Sequence, residues 1–226
     1  MKILHKNSLA KTIDAVNEFF FFGRTIPRKE KVEVCDWIAS RQGMHGAYAK
    51  MFAPTDHDFK HGIRVFTGER VISGAATGHI MGEEACRVLR LLKSPKQSVR
   101  DALRRANLGM NRRLMASGRF QKSAIFCCGI CTASLWRNIA AGGLGPNRKY
   151  LKKSLKTFRK YRDGKGRWRV FPFYYTLLSL LEIGSNEAWA ELQYAGRVIE
   201  RLVRRQDSGK YGKRRKVMME SILEKI

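Results

Sequence analysis

The chain has 226 residues, with 45 Lys and Arg against 19 Asp and Glu, a formal net charge of +26. At 44% hydrophobic and 10% aromatic residues it holds the core-forming side chains that a disordered polycation lacks. These figures exclude disorder on one side and indifference to polyanions on the other.

Helical periodicity dominates, and β-branched alternation is nearly absent. Ser8 is placed to cap a first helix carrying Leu9, Ile13, Val16, Phe19 and Phe20 on one side, ended by Gly23 and Pro27. The run from Phe19 to Phe22 reads as a helix end packing into the core, with a membrane or partner anchor as the alternative. A second helix follows from Lys29 to Gln42, and the segment from Gly43 to Gly74 is turn-rich. Within it, Thr55 and Asp58 have the spacing of a capping box. Further helices are predicted at 77–92, 96–115, 129–141, 148–161, 171–183 and 187–205. The predicted organisation is one helical domain over 1–205 and a basic tail over 206–226 with a linker and a short final helix.

The helices fall into two classes. Those near 77–92, 129–141 and 171–183 are apolar on all sides, whereas 30–42, 97–115, 148–161 and 187–205 are amphipathic. Alternation of the two predicts an all-α fold with an inner layer covered by an outer one. Five cysteines, an odd number at low density, argue for reduced thiols in a cytosolic setting rather than a disulfide framework. No apolar run approaches the roughly 18–20 residues of a membrane span, and residues 1–6 lack the apolar stretch of a signal peptide. A soluble, cytoplasmic protein is expected.

Three outer-to-inner junctions share a Gly-x-aromatic pattern: Gly46-Ala47-Tyr48, Gly118-Arg119-Phe120 and Gly166-Arg167-Trp168. Gln42-x-x-x-Gly46-Ala47-Tyr48 and Asp163-Gly164-x-Gly166-Arg167-Trp168 resemble the Gln-to-Trp repeats of the terpene cyclase and protein prenyltransferase superfamily. Segments opening at Gly74, around Cys128 to Trp136, and from Phe171 to Leu180 are similar to inner helices of that superfamily. The resemblance covers residues 30–204 loosely. It implies an α/α toroid or half-toroid whose inner helices line a cavity. It also implies a zinc site of one Asp, one Cys and one His, of which Cys131 matches the cysteine; Gly129 and Tyr175 stand where the other two are expected.

No cofactor is therefore expected from the resemblance. Cys127, Cys128 and Cys131 with His79 leave zinc as an alternative to buried reduced thiols. Asp56-His57-Asp58 lacks the third carboxylate of a cyclase acid motif and reads as helix capping or loop charge. His79 and Glu83 share a helix face, as an internal hydrogen bond or a cavity-lining pair.

Charge divides the chain as well: residues 1–92 hold 14 basic and 10 acidic side chains (+4), and residues 93–226 hold 31 and 9 (+22). Two functions follow from separate surfaces. The first is an apolar or anionic ligand, such as an isoprenoid diphosphate, bound by His79, Glu83, Cys131, Trp136, Tyr174 and Tyr175, with Arg167 and Arg169 near the mouth. The second is noncatalytic nucleic-acid binding through Arg148, Lys149, Lys152, Lys153, Lys156, Arg204, Arg205, Lys213, Arg214 and Arg215. Whether the chain is an enzyme stays open. Three inner helices make only half a closed ring, so a second copy is the predicted means of covering them.

Overall fold

The computed structural model describes residues 2–145, 148–205 and 208–226. The fold is all-α apart from one minimal strand pair. Helix α4 (Gly74–Leu92), α7 (Gly129–Ala140) and α9 (Phe173–Ile183) lie side by side as an inner row, α7 in the middle. Most of their residues are buried because neighbours cover them, and polar ones such as His79, Glu83, Arg137 and Asn138 are buried with the rest. The outer helices are α2 (Arg28–Ser40), α5 (Gln97–Met115), α8 (Arg148–Phe158) and α10 (Asn186–Val203). Helices α2 and α5 pack on α4, α8 on α7, and α10 on α9. Each turns one apolar stripe inward; α5 buries Val99, Ala102, Ala106, Met110 and Leu114. A short helix unanticipated by the periodicity, α6 (Gly118–Ser123), sits between α5 and α8.

The first helix, α1 (Leu9–Phe21), starts where the Ser8 hydroxyl accepts from the Lys11 amide. Helix α3 (Asp56–His61) opens with the expected Thr55/Asp58 capping box. The buried Asp58 carboxylate also accepts from the Ser8 hydroxyl and the Leu9 amide, so one acid serves two helix starts. Strands β1 (Ile63–Arg64) and β2 (Arg70–Val71) pair antiparallel, Ile63 opposite Val71.

Residues 209–223 hold the helix expected in the basic tail, longer than the short one expected and packed against the rest of the fold. They form α11 (Gly209–Leu223), packed on α9 and α10 with Met218, Met219 and Ile222 buried. Arg214 is 1% exposed and donates to Asp14 and Glu18 of α1 and to the Phe66 carbonyl. Helix α1 covers α4, and α11 covers α9. The apolar inner row is thus covered by the chain's own first and last helices, which removes the reason for invoking a second copy.

At the repeated junctions the aromatic folds back onto the next helix layer. Tyr48 stacks on His79 of α4, Phe120 meets Phe126 and Tyr150, and Trp168 packs on Phe158 and Phe173. Gly46 and Gly166 adopt positive φ, the conformation the turn requires, whereas Gly118 is an ordinary helical residue.

Candidate metal centre

Two helices and a loop assemble the most unusual cluster of the molecule. His79 lies in the second turn of α4 and Cys131 in the first turn of α7, both buried. Cys127 and Cys128 occupy the loop just before α7 and reach solvent. Cys127 has φ +54, the left-handed conformation, and Cys128 is the N-cap of α7. One ligand atom from each of His79, Cys127 and Cys131 lies within 4.8 Å of the others. The imidazole is clamped between the Tyr48 ring at 4.7 Å and the Phe126 ring at 5.0 Å.

The thiols shift one another in opposite directions. The Cys131 thiol, donating to Cys128, holds the Cys128 thiol down to about 5, against the opposing effect of burial, and Cys131 is pushed far up in consequence. The N-terminus of α7 favours a thiolate at the cap position. His79 is raised: burial disfavours its cation, but the adjoining Cys127 and Glu83 outweigh that.

Beneath the ring, Glu83 follows His79 by one turn, with Oε1 at 3.5 Å from Nε2. Its other oxygen accepts from Asn138 Nδ2 of α7 at 2.5 Å. Neither His79 nitrogen makes a hydrogen bond in this structure, nor do Glu83 Oε1, Asn138 Oδ1 or Thr77 Oγ1, although all are screened from water. Buried polar atoms without partners are rare and each implies a missing interaction. Thiols, an imidazole with an unpartnered nitrogen, and a carboxylate behind the ring are the donor set of a zinc site with its outer support.

A second polar cluster crosses the same inner row. Arg137 of α7 donates to Glu84 of α4 at 2.5 Å and, through two nitrogens, to Glu182 of α9 at 2.8 and 2.9 Å. Arg87 bridges Glu182 and Asn17, Asn17 returns to Glu84, and the Tyr175 hydroxyl donates to Glu84. Burial opposes the Glu182 charge, yet Arg137 and Arg87 hold its carboxyl below the usual range. Beside this network is a cavity of about 170 Å³, lined in part by Phe20, Phe21, Leu91 and Leu178.

The residues predicted to share a ligand pocket separate into different places. His79, Glu83 and Cys131 meet in the thiol cluster. Tyr175 belongs to the arginine network, and its amide donates to Glu69. Trp136 is core, stacked on Phe171 with Nε1 on Ser154. Tyr174 lies under Arg215, and Arg167 over Phe173. Arg169 is exposed and donates to the Lys160 carbonyl. Gly129 cannot be the acid the resemblance asks for, because a Cβ there would collide with the Val170 backbone.

Of the predicted polyanion contacts, Lys149, Lys152, Lys153, Lys156, Arg204, Arg205 and Lys213 are exposed. The Arg148 side chain lies outside the described residues. Arg214 is withdrawn from that surface by its burial between Asp14 and Glu18, and Arg215 is half-buried with Nε on the Thr67 carbonyl. Sequence reasoning missed Tyr48 and Asn138. Asn138 was within reach of it, since seven residues after Cys131 is the same face of a helix.

No family model, curated protein or solved structure matches this chain. The site's own chemistry carries the functional argument. Among the described residues, no helix is long and apolar enough to cross a membrane.

Proposed function

We propose that this is a zinc-thiolate protein in which His79, Cys127 and Cys131 hold the ion between α4 and α7 and Cys128 closes the tetrahedron. The observation that carries the reading is the convergence of His79, Cys127 and Cys131 on one point, with both His79 nitrogens screened from water and without hydrogen bonds while the thiol loop stays open to solvent. Nitrogen and sulfur donors in this ratio select zinc over hard cations. Glu83 and Asn138 supply the carboxylate and amide that orient a ligating imidazole. The ion would tie the first inner helix to the second where α7 starts. This site differs from the one the resemblance implies: the donors beside Cys131 come from α4 and the preceding loop instead of from an Asp and a later His.

A large apolar ligand is less well supported. The cavity on the α1 side of the inner row is about 170 Å³, against roughly 300–1,000 Å³ for ordinary ligand pockets. An isoprenoid chain there would require α1 to move.

The test is native mass spectrometry and elemental analysis of protein purified without chelators, followed by cobalt replacement. One zinc per chain and a tetrahedral, thiolate-rich cobalt spectrum are expected, both lost in Cys131→Ser and His79→Ala with helicity retained. Cys128→Ser should keep the metal but alter the cobalt charge-transfer bands. A folded, metal-free chain that leaves cobalt in its hexa-aqua form would overturn the proposal.

A further inference from the structure

A second surface, remote in chemistry from the thiols, is built for anions. A shallow groove of about 510 Å³ runs between the C-terminal turn of α4, one face of α5 and the segment after α7. It is lined by Arg90, Arg100, Arg104, Asn107 and Asn111, with Leu103, Leu108, Gly142 and Gly145, and by no carboxylate. The α5 members recur at 100, 103, 104, 107, 108 and 111, so the helix presents them along one stripe.

Three features prepare this stripe for phosphate. Gln97 Oε1 and the Pro95 carbonyl bind Arg100 from behind and fix its guanidinium plane. Asn107 accepts from the Leu144 amide through its oxygen at 3.4 Å, which leaves its NH2 donors for the groove. Arg90, at the C-terminal turn of α4 beside the stripe, adds a third guanidinium to the lining, with its Nε screened from water and only its terminal nitrogens left to face the groove. Asp101, off to the side, reaches a single Arg104 nitrogen at 3.4 Å and neutralises little in an exposed pair. Three guanidiniums with forked donors, without a buried acid to balance them, match phosphate oxygens.

We propose that this groove binds the phosphodiester backbone of a nucleic-acid strand. Its open shape suits a chain that runs through rather than a ligand that is enclosed. Leu108, 47% exposed in its floor, offers apolar contact to a sugar or base edge. The long-range field of a +26 chain draws polyanions to it. Nothing in the stripe reads base identity, so binding is independent of sequence and strongly salt-dependent.

The test is fluorescence anisotropy with short mixed-sequence oligonucleotides, single-stranded and duplex, over a salt series. Arg100→Glu with Arg104→Glu should weaken binding at least tenfold at low salt and reduce the log–log salt slope by about 1.4–1.8, the value for two lost phosphate contacts. Arg28→Glu with Lys29→Glu on α2 changes the net charge equally and should cost less than threefold. Equal losses in both pairs overturn the proposal, because they mean diffuse attraction. So does displacement of the oligonucleotide by equimolar inorganic pyrophosphate, which marks a small-ligand site. Sedimentation with phosphatidylserine vesicles in the absence of oligonucleotide binding overturns it in favour of a membrane surface. If the double Glu variant fails to fold by circular dichroism, Arg100→Gln with Arg104→Gln carries the same comparison. A measurable loss relative to the α2 pair supports the groove, and no loss overturns it.

Discussion

The inner row contains two buried polar clusters built from the same helices, and they differ in one respect. Around Arg137, every carboxylate has a cationic or amide partner, and the ion pairs close on themselves. Around His79, donors and acceptors are equally dry but several lack partners. A closed network of this kind is a strut: removing one member exposes the others to an uncompensated desolvation cost. An open cluster in a dry interior is costly as it stands. The contrast teaches that burial alone does not mark a site; unfulfilled valence does.

The largest test of this contrast is Arg137→Met. It leaves Glu182 with Arg87, and Glu84 with Asn17 and Tyr175, as their remaining partners, and should lower stability by about 3 kcal/mol in urea unfolding. A loss below about 1 kcal/mol would remove the distinction between strut and site. Zinc should act on the other cluster: at free zinc a hundredfold above its dissociation constant, stabilisation is about 2.7 kcal/mol. Identical melting curves with zinc and with chelator would contradict it. Glu83→Gln should weaken zinc binding about 10–100-fold in competition with a chromophoric chelator, with little effect on the metal-free fold.

Acid should find the closed cluster. The Glu182 carboxyl is lower in the folded state than in the unfolded one, so the folded state binds fewer protons. Its contribution is present above the ordinary glutamate range and is lost as pH falls through the depressed folded value. It amounts to at most about 1.4 kcal/mol for each pH interval of one between those two values. Glu182→Gln should flatten the acid limb of stability against pH. The smallest effect is Tyr175→Phe, about 1 kcal/mol, since Glu84 keeps Arg137 and Asn17.

Much of the architecture was legible because it rests on local chemistry. The caps at Ser8 and Thr55 are short local patterns, and the inner helices announce themselves by long runs of small and apolar residues. The thiol cluster was legible as a grouping of His79 with Cys127, Cys128 and Cys131, but only as one of two alternatives, because His79 and Cys131 lie on different helices and sequence gives no distance between them. The arginine network was invisible for the same reason: Arg137 finds Glu84 and Glu182 across 53 and 45 positions. Arg214 is the instructive error. Within Lys213-Arg214-Arg215-Lys216 charge hides direction, yet Arg214, Met218 and Ile222 recur at helical spacing and all three are buried.

That arginine also sets a schedule. Asp14 and Glu18 are translated 200 and 196 positions before the residue that neutralises them. At ribosomal rates the interval is about 10–40 s. During it, α1 carries its acids without Arg214, and the flank of α9 awaits α11. The latch is therefore closed long after α1 has emerged, and a ribosome that stalls just before Arg214 leaves α1 to α10 without it.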